Sequence, residues 1–461
     1  MFDVIVIGAG FSGLQAAYSA QQAGLSVAVV EARDRVGGKS WTVPLSNGRG
    51  VADLGAAWVN DTLQPRVWSY INRFGLRDKV TKQRLGHTAV LMLADGKRIE
   101  FPQGTTPEFL PEDKANLERI RDHIQRESLK PNGLRPEDDQ VSLDQYVRSL
   151  GGSPQTLKMV NLWTRVMHGI ESTEESAAWF IDYCRSNRGL LAVRADDHTG
   201  GNYMRLSVGT QSIAKGIANL VGRVNIHLSS PVTSIKDTKS HVTIIAANGK
   251  TFEAKKVIIS IPSTMYKELN FSPPLPAAIQ KVTNSTRLGH YNKAIVVYEQ
   301  PWWRDLGFNG FIMSYQGPAC VVRDTSVDEE GIYSFTCFVN GQPGEKWSKM
   351  HSQERRAAIL DQLSACFNLG CDSQAHRPAE YIDQIWQHET FSRGALAPVT
   401  AIGDYTEFSD VYGKPVNNIH FVGTEYSKDW KGYMEGALAS GEKGADEVII
   451  ALREPISTPK L

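Results

Sequence analysis

Six residues near the start, Gly8-Ala9-Gly10-Phe11-Ser12-Gly13, carry the G-x-G-x-x-G spacing by which a backbone approaches a pyrophosphate. Each glycine has a steric task. Gly8 permits the tight turn out of a strand, Gly10 admits the phosphates to the backbone, and Gly13 lets the next helix pack on the sheet. Ser12 sits at the start of that helix, where unpaired N–H groups and the dipole favour an anion. Glu31, at the end of the next apolar run, is placed to accept from ribose hydroxyls and to repel a 2′-phosphate. With 40 glycines in the chain the spacing alone would be weak. Set between two apolar strands, with an acid at the expected distance, it specifies dinucleotide binding.

Other chemistries lack their residues. The 11 histidines show no H-x-x-x-H spacing, so no metal site is expected, and no G-x-S-x-G elbow offers a hydrolase nucleophile. The five cysteines, Cys184, Cys320, Cys337, Cys366 and Cys371, form no C-x-x-C pair, which fits a reducing compartment. Lys and Arg total 50 against 50 Asp and Glu, so the basic excess that nucleic-acid binding requires is missing. A composition 41% hydrophobic and 22% charged is that of a folded globular chain. Met1-Phe2-Asp3 runs straight into an apolar strand without a signal peptide, and no window reaches the roughly 18 apolar residues of a membrane span.

The elements that must position these residues come in separated blocks. Residues 4–7 read as a strand buried on both faces, 14–23 as a helix stopped by Gly24, and 27–30 as a second strand. Residues 102–150, dense in Pro and charge, read as solvent-facing helices. Strand-like runs return at 224–228, 257–261, 294–298 and 419–422, and a last helix is expected over 433–452. Trp302-Trp303 reads as packing at a domain seam. The expectation is an α/β (α+β) chain: a discontinuous Rossmann-like dinucleotide domain, interrupted by a mixed-sheet and helical substrate domain. The first takes residues 1–80, 205–285 and 388–455, the second 81–204 and 286–387, with a tail at 456–461.

Residues 31–39, Glu31-Ala32-Arg33-Asp34-Arg35-Val36-Gly37-Gly38-Lys39, continue from the second strand. Arg33 and Lys39 can offer charge to a diphosphate, and Gly37-Gly38 allows a second close approach. The stretch resembles the extended FAD fingerprint of the flavin-containing amine oxidase family, whose usual ending is Gly-Gly-Arg. Lys39 departs from it, a point charge in place of a bidentate fork. Asp53-Leu54-Gly55-Ala56 is similar to the family's Asp-Leu-Gly-Gly segment under the flavin, and Pro231-Val232 to the segment whose valine meets adenine. The block Phe421-Val422-Gly423-Thr424-Glu425, with Trp430-Lys431-Gly432-Tyr433-Met434, resembles the second FAD motif of the monoamine oxidases. It adds Gly423, Thr424 and Met434 to a cofactor set that already holds Ala32, Gly38, Gly55, Ala56 and Val232. A helix starting there would aim its positive end at the flavin pyrimidine and favour reduction.

The resemblance also assigns roles. Lys293, in Asn292-Lys293-Ala294-Ile295-Val296, reads by itself as a strand-end lysine snorkelling to solvent. Its position matches the lysine that holds a water against flavin N5. Tyr433 matches one wall of an aromatic cage that steers an uncharged amine to the flavin. The other wall comes from the segment that begins at Trp386. Within it Ala395 replaces the cysteine that bonds FAD covalently, and Leu396 replaces the second tyrosine. Noncovalent FAD and a half-open cage follow. Asn202 resembles a substrate-side glutamine, one methylene shorter, and Ala195 falls near the entrance gate, so a wide cavity is implied. Arg393 is a candidate carboxylate anchor for an amino-acid substrate, or else a flavin-side or surface arginine.

What the resemblance implies is an FAD-dependent amine oxidase that turns a primary amine and dioxygen into an aldehyde or ketone, ammonia and hydrogen peroxide. A long-chain amine, such as an aminopolyol of the fumonisin type, is among the substrates it would admit. An L-amino-acid or polyamine oxidase of the same superfamily is the alternative, and a binding protein like the Rab GDP-dissociation inhibitors, which share the fold, is the alternative of another class. The expected location is cytoplasmic. Pro459-Lys460-Leu461 resembles the peroxisomal Ser-Lys-Leu tag, which makes the peroxisome the other candidate. A homo-oligomer is compatible with all of this.

Overall fold

The computed structural model describes residues 1–131 and 135–453, so the Pro459-Lys460-Leu461 signal lies outside the described residues. The strand Phe2–Ile7 explains the organisation. Val4 and Val6 point to one face of the sheet, against the helices Phe11–Gln22, Gln211–Val221 and Met434–Arg453. Ile5 and Ile7 point to the other, against Ile235, Ile244, Tyr266 and Phe421. Both faces are dry, so the run is continuously apolar. Phe2–Ile7 pairs in parallel with Val27–Val30 and with Thr251–Ile259, and Ile419–Phe421 adds in parallel to Thr251–Ile259. One eight-stranded sheet thus gathers strands from three distant parts of the chain.

A second, seven-stranded mixed sheet runs in the order Glu380–Ile385, Tyr291–Tyr298, Tyr333–Asn340, Val321–Asp324, Phe308–Ser314, Thr88–Met92, Arg98–Pro102. Alternation in Tyr291–Tyr298 sends Ala294, Val296 and Tyr298 into a core with Trp302, Trp303 and Trp347. Ile295 and Val297 on the opposite face meet Leu45, Ala52 and Leu54 of the first block. Lys293 lies on that same face, toward the nucleotide-binding block.

Four expectations change. Residues 224–228 form a strand only at Ile226–His227. Val224 sits in a single helical turn after Gly222 (φ 89°) and is 85% exposed. Within 102–150 the helix Pro111–Leu129 is not wholly solvent-facing, since Leu117, Ile120 and Ile124 bury one face in a helical core. Trp302 and Trp303 pack inside the second sheet's own core rather than at a seam. The last helix is Met434–Arg453, with Tyr433 in the turn before it. Among the described residues no helix is long and apolar enough to cross a membrane.

Candidate functional site

Between the two sheets lies a cavity of about 890 Å³, at the large end of the range for small-molecule sites. The residues proposed above for cofactor or substrate line it, except Gly13 and the candidate carboxylate anchor Arg393. Gly13 lies behind the wall. A methyl group there would stand 2.1 Å from the Gly8 carbonyl oxygen, so its hydrogen is what lets helix meet strand.

Gly8 takes φ 101°, a turn conformation that side chains disfavour, and Phe11–Gln22 starts directly after Gly10. Gly10 and Gly38 face each other closely, a methyl group on Gly38 reaching 3.2 Å from the Gly10 α-carbon. The Glu31 carboxylate is buried and oriented by the chain itself: Ala9 N–H donates to Oε2 (2.6 Å) and Arg33 N–H to Oε1 (2.8 Å). Its remaining lone pairs are available to hydroxyl donors. The helix Met434–Arg453 brings a second N-terminus to the same space. It lies against Phe11–Gln22 at Gly441, where a methyl group would come within 2.3 Å of the Ser12 carbonyl oxygen. Thr424 Oγ1 accepts from Gly432 N–H (2.7 Å) and donates to the Tyr433 carbonyl (3.0 Å), fixing the turn before that helix. Bare glycine surface, two helix N-termini and a preset carboxylate fit FAD.

Lys293 does not snorkel. It is 3% exposed, and its Nζ donates to the Asp53 carbonyl (3.1 Å) and to the Gly55 carbonyl. The ring centroids of Trp58 and Phe338 stand 5.4 and 5.5 Å from it. Burial lowers its pKa from the ordinary 10.5 to about 8, against the partial support of Asp53. Asp53 itself is raised to about 6, also by burial. Tyr433 packs edge-on to Trp430 (4.9 Å), and its phenol, hydrogen-bonded by Tyr183, is pushed up to about 12 by burial. A methyl group on Gly201 would come within 2.9 Å of the Tyr433 ring, so the Gly200-Gly201 pair makes room for it.

Several polar groups are already engaged. Arg33 pairs with Glu389 (3.1 Å), and Lys39 Nζ donates to the Leu396 carbonyl (2.6 Å) with its pKa lowered to about 8 by burial. Trp386 Nε1 donates to the Leu54 carbonyl (3.0 Å), which pins that ring as wall. Asn202 Nδ2 donates to the Val193 and Ala195 carbonyls (3.2 and 3.4 Å), leaving its Oδ1 free of them. Arg393 turns away to Glu268 (2.7 Å) with half of its side chain exposed, which ends its candidacy as a carboxylate anchor. Leu396 and Ala395 share the strand Ala395–Val399 on the cavity wall.

Reasoning from sequence missed Arg323 and Arg194. Arg323 follows Val321-Val322, a charge in an apolar strand like Lys293, and the same signal would have found it. Arg194 lies in the short helix Leu190–Arg194 and carries no such mark.

Residues 11–449 match the profile of the family described as flavin containing amine oxidoreductase. The amine oxidase [flavin-containing] B of Sus scrofa is 30% identical over 461 residues, covering 98% of this chain and 86% of its own length. Wild-type putrescine oxidase bound to putrescine superposes with a TM-score of 0.89 at 26% identity, over 97% of this chain and 99% of its own. Cyclohexylamine oxidase from Brevibacterium oxydans shares the fold with a TM-score of 0.88 at 24% identity, over 98% and 100% of the two chains. The cavity's dinucleotide cradle and the match over almost the whole length lead to one conclusion: the chain belongs to the flavin-containing amine oxidase family and is an FAD-dependent oxidoreductase acting on amines.

Proposed function

We propose that the protein oxidises a primary amine by means of noncovalently held FAD, releasing an imine that water converts to aldehyde or ketone and ammonia, while dioxygen becomes hydrogen peroxide. The observation that carries this reading is the position of Lys293: a buried ammonium on the wall of the cavity that Tyr433 and the glycine cradle also line. Bound FAD supplies the two-electron acceptance and its return to oxygen. Tyr433 and the flexible Leu396 present an apolar, one-sided cage that accepts the amine in its neutral form, the form whose lone pair assists C–H cleavage. The engagement of Arg393 by Glu268 weakens the L-amino-acid alternative, and the arginines described below weaken a polycationic one. Peroxide release from a panel of aliphatic and aromatic amines tests the proposal; no release and no bleaching of the bound flavin under nitrogen would overturn it.

Two further outcomes follow from the cage. Tyr433→Ala lowers kcat/KM for amines by roughly 10- to 100-fold, the scale of a misplaced reactant, while the visible spectrum of bound FAD persists. Unaltered kinetics would remove Tyr433 from the cage. Leu396→Tyr raises the preference for arylalkylamines over alkylamines, read as a ratio of kcat/KM values. Because Ala395 offers no sulfur, acid precipitation leaves the yellow flavin in the supernatant; colour in the pellet would contradict the noncovalent reading.

A further inference from the structure

The cavity wall supplied by residues 101–202 and by the strand Val321–Asp324 carries Arg121, Arg188, Arg194 and Arg323 against Asp196 and Asp197. Most of these charges are matched. Arg323 pairs with Asp196, which also accepts from Gln103 Nε2 (2.7 Å), Arg121 pairs with Asp122 (2.8 Å), and Arg188 with Asp429 (3.4 Å). Asp197 accepts from Thr199 N–H (2.8 Å). Arg194 is different. Among the described residues no carboxylate lies within ion-pair reach of it and no acceptor takes its N–H groups. Its guanidinium lies over the Trp163 ring, 4.7 Å from the centroid. Trp163 is itself 4% exposed, lines the same cavity, and keeps a buried Nε1 N–H without a partner. Such groups are normally satisfied, so an orphan next to an unmatched cation points to a missing acceptor.

The donor set has no acceptor of its own. A guanidinium and an indole N–H can only donate, and a guanidinium matches the two oxygens of a carboxylate. We propose that Arg194 and Trp163 form a subsite for a carboxylate carried at the end of the amine substrate remote from the nitrogen. Arg194 lies on Trp163, whereas Lys293 lies by Trp58 and Phe338, so the two cations sit against different parts of the wall. The chain length at which the acid is most preferred measures how far the carboxylate stands from the nitrogen. Burial lowers Arg194 only to about 10, so it stays charged at neutral pH. The cation–π contact fixes the guanidinium before the substrate arrives, which reduces the entropy lost on binding.

The inference rests on the amine oxidase reading, and paired substrates separate the two. Hexyl-, octyl- and decylamine are compared with ω-aminohexanoate, ω-aminooctanoate and ω-aminodecanoate by oxygen uptake, with the FAD spectrum recorded for each variant. At least one acid exceeds its matched amine in kcat/KM by roughly tenfold, the order expected for a charge-assisted hydrogen-bonded pair. Arg194→Gln brings that ratio to unity, Arg194→Lys keeps part of it, and Trp163→Phe, which retains the ring and removes the N–H, lowers it. Amines oxidised with no preference for the acid at any length would overturn the subsite and leave the oxidase reading intact. So would Arg194→Gln lowering both members of a pair equally. If none of the six compounds reduces the flavin, the subsite falls, and the aromatic members of the wider amine panel decide whether the oxidase reading falls with it.

Discussion

Replacing Lys293 by methionine slows the reaction of the reduced enzyme with dioxygen by roughly a hundredfold, the scale on which enzymes lose rate when one fixed electrostatic stabiliser is removed. Methionine keeps most of the stem that passes Trp58 and Phe338 and deletes only the charge. Stopped-flow mixing of the reduced protein with oxygen measures it, and an unchanged rate would withdraw the role from Lys293. The pH dependence carries a sign. With a pKa of about 8, Lys293 is an ammonium below that pH and an amine above it. Reoxidation is therefore fast at low pH and declines as pH rises through 8, and the decline is absent from Lys293→Met. Lys39 also titrates near 8, and Asp53 and Arg205 face Lys293, so the comparison with the variant is what assigns the profile. Reduction by substrate runs the other way, rising with pH as the amine loses its proton. A folding defect is separable from both effects. The folded pKa lies below the ordinary 10.5, so burial penalises the charged form and the fold gains stability as pH rises from 8 toward 10.5. At neutral pH the methionine variant melts no lower than the parent.

Glu31→Ala weakens FAD binding by roughly a hundredfold. The carboxylate accepts from Ala9 N–H and Arg33 N–H and lines the cavity where a ribose would lie. Alanine removes the acceptor offered to the hydroxyls and leaves two backbone donors unpaired, each loss costing about 1–3 kcal/mol. Glutamine does not restore the site. One end of its amide is a donor and would meet an N–H of the chain. Titration of the apoprotein with FAD, followed by the quenching of flavin fluorescence, gives the dissociation constant; equal values for parent and variant would show that Glu31 does not hold the ribose.

What could be read in advance follows from physical locality. The residues 4–7 and 27–30 lie between covered faces, so composition alone marks them as strands. The glycine spacing is a local requirement of one turn and is visible as such. Residues 102–150 misled because charge dominates their composition, whereas three apolar residues at helical spacing, Leu117, Ile120 and Ile124, suffice to bury a face. Lys293 stood out as a charge in an apolar strand, but its burial was decided by Asp53 and Gly55, more than two hundred positions away. Arg33 and Lys39 line the cavity, but their partners, Glu389 and the Leu396 carbonyl, come from the other end of the chain. Spacing carries no trace of such encounters. Arg194 was invisible for the same reason, since its character comes from the ring it lies on and the carboxylate it lacks.

The strand Thr251–Ile259 receives Ile419–Phe421 only at the end of synthesis. At ribosomal rates of about 5–20 residues per second, the strand's Val257–Ile259 margin waits roughly 10–30 s for its neighbour. During that interval an oily strip with unpaired amides is open to passing chains. A nascent copy of this protein thus carries a chaperone-binding surface until its final tenth emerges, and one that ended before residue 419 would leave the ribosome with that strip uncovered.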